Sequence, residues 1–191
     1  MPIVHFITHP DVLIDPAVPV PRWALSARGR ARMRAALMQP WAAGIAAVHC
    51  STEQKAIDGA AILADARGLG ITLHADLGEN DRSATGYLPK AAFEATADAF
   101  FANPDASIRG WERAVDAQLR VVRAIGRILA GPVPGDIAIV AHGAVGALLL
   151  CALAGIAITR AADQPPGSGG FRFAFDAASR ALRHGWVAID A

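Results

Sequence analysis

The stretch "DIAIVAHGAVGALLLCALA", residues 136–154, decides the fold. Its first part is an unbroken apolar run, Ile137 to Ala141, as expected of a strand buried on both faces. The run ends on His142. Gly143 follows at once, and an Ala/Leu-rich helix is predicted from Gly143 to Ala154. A buried strand joined to a helix with no intervening loop is half of a βαβ unit, and such units carry their chemistry at the carboxyl end of the strand. His142 stands at that end.

The rest of the chain repeats the pattern. Val4–Thr8 is a short β-branched and aromatic run that ends on His9 and is stopped by Pro10. After the proline-rich loop "DPAVPVPRW" (residues 15–23), Ser26 is placed to cap a helix over Ala27–Met38. Ile45–Ser51 reads as a second strand, Glu53–Ala66 as a second helix closed by "GLG", and Ile71–Leu77 as a third strand. The polar loop "GENDRSATGYLP" then leads into an amphipathic helix, "KAAFEATADAFFA". A further helix is expected from near Gly110, with Trp111, Val115, Gln118, Val122, Ile125 and Leu129 at helical spacing. "GFRFAF" and "ALRHGWVAI" alternate like antiparallel strands. The prediction is a three-layer α/β/α sandwich with a mostly parallel sheet and an antiparallel edge. It comprises one domain over residues 1–191, with a helical insertion at about 79–130.

Composition narrows the class. The net charge is +1 over 191 residues, which argues against a nucleic-acid footprint. The hydrophobic fraction of 53% is largely alanine, and the longest apolar stretch, Ala144–Ala154, is too short to span a bilayer. No signal-peptide pattern opens the sequence, and Cys50 and Cys151 lie in apolar surroundings. A soluble, cytoplasmic protein with two buried thiols is expected, its oligomeric state left open. Arg28, Arg30, Arg32 and Arg34 are read as a solvated helix surface, and "GSGG" (residues 167–170) as a flexible turn. No metal-ligand spacing connects the six histidines, so neither metal nor other cofactor is expected.

His9, Ser51, the loop holding Glu79, and His142 all fall at carboxyl ends of predicted strands. Two imidazoles, a carboxylate and a cation at one rim suit phosphoryl transfer. A neutral imidazole attacks phosphorus, a second one donates to the phosphoryl oxygens, a carboxylic acid protonates the leaving oxygen, and cations neutralise the anion.

The ordered segments resemble the histidine phosphatase superfamily, which includes the phosphoglycerate mutases. That family opens with a strand ending Arg-His-Gly, where this chain reads Thr8-His9-Pro10. "LSARG" (25–29) corresponds to its Leu-Thr-x-x-Gly helix start, and "CSTEQKA" (50–56) to its Ser-Ser-Pro-x-x-Arg-Ala segment, with Lys55 for arginine. "LGE" (77–79) matches the family's acid, and "VAHG" (140–143) its closing strand-His-Gly. The resemblance implies a phosphoglycerate mutase-like fold and a metal-independent phosphatase acting on a small phosphorylated substrate. It implies His9 as nucleophile, Glu79 as proton donor (Asp81 next in line), and His142 and Lys55 on the phosphoryl oxygens. Thr8 replaces the family's arginine in the phosphate pocket, and Arg22 and Arg82 are candidates to supply the missing charge. The same residues also fit an impaired member that binds a phosphorylated ligand or partner without hydrolysis. A mutase fits less well, because the chain is short of the mutases' extra segments.

Overall fold

A computed structural model describes residues 1–132 and 134–191. One sheet takes strands from both ends of the chain: β1 (Ile3–Thr8), β2 (Ile45–Ser51), β3 (Ile71–His74), β4 (Asp136–Ala141), β5 (Phe171–Asp176) and β6 (Leu182–Ala188). Their order is β3-β2-β4-β1-β5-β6. The first four run parallel; β5 pairs antiparallel with β1, and β6 antiparallel with β5. This is the mostly parallel sheet with an antiparallel edge that the sequence pattern predicts.

The helices cover both faces. α1 (Ala27–Ala36) and α2 (Gln54–Asp65) bury Met33, Ala56, Ala60 and Leu63 against Ile7, Cys50 and Val140. On the opposite face, α4 (Ala114–Ala130) and α5 (Gly143–Ala154) pack Val121, Ile125, Leu148 and Leu149 on Phe6, Ile139 and Phe173. α3 (Lys90–Ala102) adds Phe100 and Phe101 to that second cluster. Ser26 caps α1 by accepting the Gly29 amide proton at 3.0 Å. Both cysteines are free and buried. Among the described residues, no helix is long and apolar enough to cross a membrane.

Three boundaries differ by two residues or more from the sequence pattern. β3 stops at His74, and Ala75–Leu77 turns as a 3-10 helix. β3 pairs with β2 alone, and β2 ends at Ser51, opposite His74, so no ladder remains for residues 75–77. α1 ends at Ala36 rather than Met38. Trp111 precedes α4 rather than lying on it: its backbone is extended, behind a 3-10 turn at Ile108–Gly110 where Arg109 and Gly110 have φ of 53° and 81°. Its indole is buried and donates to Thr85 Oγ1 at 2.8 Å, so the helical spacing of Trp111 reflects burial without helix.

The carboxyl ends of β1 and β4 lie side by side, with Thr8 opposite Ala141. The chain leaves β1 toward α1 on one face and leaves β4 into α5 on the other. A crevice opens at such a point.

Candidate active site

His9 is the first residue past β1, and its amide extends the ladder by donating to Ala141 O at 3.1 Å. That register sets His9 beside His142, the first residue past β4. The two rings meet edge to face with centroids 5.2 Å apart. His9 Nδ1 lies 3.0 Å from Pro10 O. A carbonyl only accepts, so Nδ1 carries the proton and Nε2 keeps its lone pair. Burial holds the His9 pKa down to about 3, and His142 and the Lys55 charge press it the same way. At neutral pH His9 is therefore an uncharged imidazole, and it lines a cavity of about 380 Å³.

His142 is fully buried at the entrance to α5. Its Nε2 lies 2.7 Å from Ser51 Oγ and 3.3 Å from Glu53 Oε1. Glu53 is ionised: burial works against its charge, but His142 and Lys55 outweigh it and bring its pKa to about 2. A carboxylate beside Nε2 favours the proton there, and His142 Nδ1 has no hydrogen-bond partner among the described residues. Burial lowers the His142 pKa as well.

Lys55 is 4% exposed, and its ammonium group makes two hydrogen bonds within the protein. It donates to Glu53 Oε2 at 2.5 Å and to Val20 O at 2.9 Å, and it does not line the cavity. Its charge reaches the site through the electrostatic field, as His9 registers.

Glu79 does line the cavity. Its carboxylate accepts the Ala144 and Val145 amide protons at 3.2 and 3.1 Å, capping the N-terminus of α5, and pairs with Arg82 at 3.0 Å. Burial pushes its pKa upward, yet Arg82, His142 and the Ala144 amide outweigh this and hold it below the ordinary carboxylate range. Arg82 also donates to Asn80 Oδ1 at 2.9 Å and lies against the rings of Phe93 and Trp111, 4.9 and 5.1 Å from their centroids. The insertion between β3 and β4 thus supplies an arginine fixed at the cavity wall.

Of the sequence-derived candidates, His9, Glu79, His142 and Arg82 are brought together. Arg22 is not; it is exposed in the 3-10 turn Val20–Arg22 and is not part of the cavity lining. Thr8 is 1% exposed, and its hydroxyl is bonded away from solvent to Gln164 and Phe171. Asp81 accepts from Ser83 N and stays outside the lining.

Other groups at the site carry little sequence signal. Glu53 sits in the same segment as Lys55 and needs the fold to reveal its pairing with His142. Asp163 and Gln164 come from the loop after α5 and line the cavity; burial raises the Asp163 pKa. "GSGG" is an anchored wall rather than a free turn. Gly169, at φ +74°, passes so close to His9 O that no Cβ fits, and Gly170 N donates to that oxygen at 3.3 Å. Arg32 clamps the turn by donating to Gly169 O and Gly170 O at 2.9 and 3.0 Å while pairing with Asp190. It is therefore a structural tie and not part of a solvated arginine surface. Among the described residues no three His, Cys, Asp or Glu side chains are grouped to hold a metal ion.

Comparison with known proteins agrees with this fold. No curated protein sequence matches the chain. Among solved structures, Bacillus stearothermophilus YhfR superposes with a TM-score of 0.78 at 21% identity, over 100% of this chain and 98% of that one. The mycobacterial glucosyl-3-phosphoglycerate phosphatase in complex with inorganic phosphate gives 0.76 at 20% identity, over 100% of both chains. The alpha-ribazole phosphatase of Shigella flexneri gives 0.71 at 17% identity, over 99% and 96%. At these identities the likeness is one of fold. The family model for the histidine phosphatase superfamily (branch 1) matches residues 20–168, most of the sequence, and the chain belongs to that superfamily.

Proposed function

We propose that this protein is a metal-independent phosphomonoesterase that works through a phosphohistidine at His9. The observation that carries the reading is the neutral His9 ring: its Nδ1 proton is tied to Pro10 O and its free Nε2 belongs to a ring edge-on to His142 in the cavity wall. Nε2 attacks the phosphorus of a small phosphorylated substrate. The N–P bond forms as the bond to the leaving oxygen breaks, and that oxygen takes a proton. Water then attacks the phosphohistidine, releasing phosphate and restoring the neutral imidazole.

The Arg82 guanidinium in the cavity wall faces the developing negative charge and Lys55 contributes field from behind, while His142 becomes a donor once its Nδ1 takes up a proton, which a phosphoryl anion beside the ring favours. Glu79 is the acid in this reading, although Arg82, His142 and the Ala144 amide favour its ionised form. A phosphoryl anion at the α5 N-terminus competes for the amides and for Arg82, which now hold the carboxylate charged. Losing them beside a new negative charge raises its proton affinity when a proton is needed. Two free buried thiols suit a reducing, cytoplasmic setting.

The test is phosphate release from a panel of sugar phosphates, nucleotides and an aryl phosphate with chelator present, together with rapid quenching in alkali to retain an acid-labile phosphoenzyme. Turnover and a phosphoenzyme in the native chain, both absent in His9→Ala, are the expected results. No turnover above His9→Ala on any substrate overturns hydrolysis. One observation favours a second reading, a binder of phosphorylated ligands: Glu53 and Glu79 already neutralise Lys55 and Arg82. Vanadate binding measured by calorimetry without any turnover supports that reading.

A further inference from the structure

Thr8 and Gln164 form a unit whose free end opens on the cavity. Thr8 Oγ1 accepts the Phe171 amide proton at 3.1 Å and lies 2.6 Å from the Gln164 side-chain oxygen. That separation is typical of O–H···O and short for N–H···O, so the amide carbonyl of Gln164 faces Thr8 and its NH2 group points away. The hydroxyl's single proton goes to this shorter contact in preference to Phe171 O at 3.3 Å, which leaves Thr8 nothing to offer an anion. The far end of Gln164 lies at the start of α5: a Cβ on Gly143 would sit 2.6 Å from Gln164 Nε2. Gln164, Gly143 and His9 line the same cavity. Gln164 Nε2 has no hydrogen-bond partner among the described residues, whereas the neighbouring Gln164 backbone amide is satisfied by Asp163.

We propose that Gln164 is a catalytic residue that donates Nε2–H to a phosphoryl oxygen, and that Thr8 is the positioning residue that fixes which way its amide faces. The proposal rests on the reading of the cavity as a phosphoryl site. A held amide is a suitable donor where charge builds: its dipole is aimed beforehand, and no reorganisation is needed in the transition state. It is also neutral. The donor at this position therefore acts on the growing charge of the transition state more than on capture of the ground-state anion. The nearby charges are consistent with that, since Arg82 is paired with Glu79, and Arg160 with Glu94, Asp98 and Asp163.

The experiment compares Gln164→Leu, Thr8→Val, Thr8→Ser and the double variant Thr8→Val/Gln164→Leu by vanadate calorimetry and by turnover of an aryl phosphate. Gln164→Leu should lower kcat by about 10²-fold and weaken vanadate by a similar factor, with KM moving less than about threefold. Thr8→Val should cost about tenfold by releasing the amide. The double variant should be no worse than Gln164→Leu, because Thr8 acts only through Gln164. Thr8→Ser, which keeps the hydroxyl, should recover most of the loss seen in Thr8→Val. Independent, multiplicative losses overturn the positioning role. Unchanged vanadate affinity and kcat in Gln164→Leu, with the native chain binding vanadate, overturn the donor role and leave the phosphoryl site standing. A native chain that neither binds vanadate nor turns over overturns both.

Discussion

His5 lies within β1 and His9 four residues on, just past its end, and their surroundings differ in ways that separate structure from chemistry. His5 is in mid-strand, 3% exposed, tilted against Trp41 at 5.2 Å. Arg172 donates toward its Nδ1 at 3.4 Å and to His184 Nε2 at 2.8 Å, while Asp136 stands 3.9 Å from its Nε2. His9 lies just past the strand, where the ladder ends and the crevice begins. Burial keeps both rings neutral, with pKa values near 4 and 3. A lowered pKa therefore does not distinguish them. The free nitrogen of His5 is sealed among protein groups, and that of His9 belongs to a ring in a cavity wall.

The largest expected effect separates the two directly. His9→Ala should reduce phosphate release by about 10⁴-fold or more, the scale of losing a nucleophile, with far-UV dichroism unchanged. His5→Ala should leave kcat within about threefold and lower stability by about 1–2 kcal/mol, read from denaturant midpoints. A His5 variant that loses turnover while remaining folded breaks the distinction.

Next in size is the choice of acid. Two cavity carboxyls have opposite tendencies: Glu79 is held ionised by Arg82 and the α5 amides, and Asp163 has its pKa raised by burial. With Glu79 as the acid, Glu79→Gln should slow an alkyl phosphate by about 10²–10³-fold and an aryl phosphate far less, because an aryl oxide leaves without a proton. Asp163→Asn should slow both alike and only slightly. The reverse pattern moves the acid to Asp163.

A third measurement concerns His5 alone. The unfolded chain protonates this imidazole near pH 6.5, while the folded chain refuses the proton to about pH 4, through burial and the Arg172 charge. Between those values the unfolded state binds more protons, so stability falls as pH falls from 6.5 toward 4, and this contribution is exhausted below about 4. From pH 7 to pH 5 the expected loss from His5 is about 2 kcal/mol. His5→Gln, which cannot titrate, should lack that part of the acid slope in urea unfolding. Equal slopes in the two proteins remove His5 from the account.

The ends of the elements decided what could be read from the sequence. Residues 136–154 were unambiguous because a buried strand and an apolar helix meet at one glycine, and both boundaries follow from local chemistry. The strand-end positions of His9 and His142 were legible for the same reason: each directly follows a strand-like run. β3 ends before its sequence pattern does because its length depends on where β2 stops, and Trp111 lies off the helix because burial without helix mimics helical spacing. Glu53, Gln164 and the Gly169 wall were hidden for a different reason. Their roles come from contacts between loops far apart in sequence, such as Gln164 with Thr8 and Gly169 with His9, and no periodicity records these. Arg32 looked like one of a row of surface arginines until the fold brought Asp190 and the glycine turn beneath it.

The smallest expected effect concerns the cation expected to stand in for the family's arginine. Arg22 follows a proline-rich loop and directly precedes a helix that starts near the rim, so the sequence places it close to the site. In the structure it is exposed and outside the lining, while its turn is fastened by Lys55, which donates to Val20 O. An exposed guanidinium is screened by water and salt, and its interaction with an anion across the rim is worth little. Arg22→Ala should therefore change vanadate affinity by less than about threefold. Arg82→Ala removes a guanidinium held against Phe93 and Trp111 at the cavity wall, and should weaken vanadate by at least about tenfold. Both variants belong in one titration series at fixed ionic strength, since raising the salt should erase any residual effect of Arg22 and leave most of that of Arg82. If Arg22→Ala costs as much as Arg82→Ala, Arg22 reaches the bound anion after all, and the division between a walled arginine and an exposed one fails.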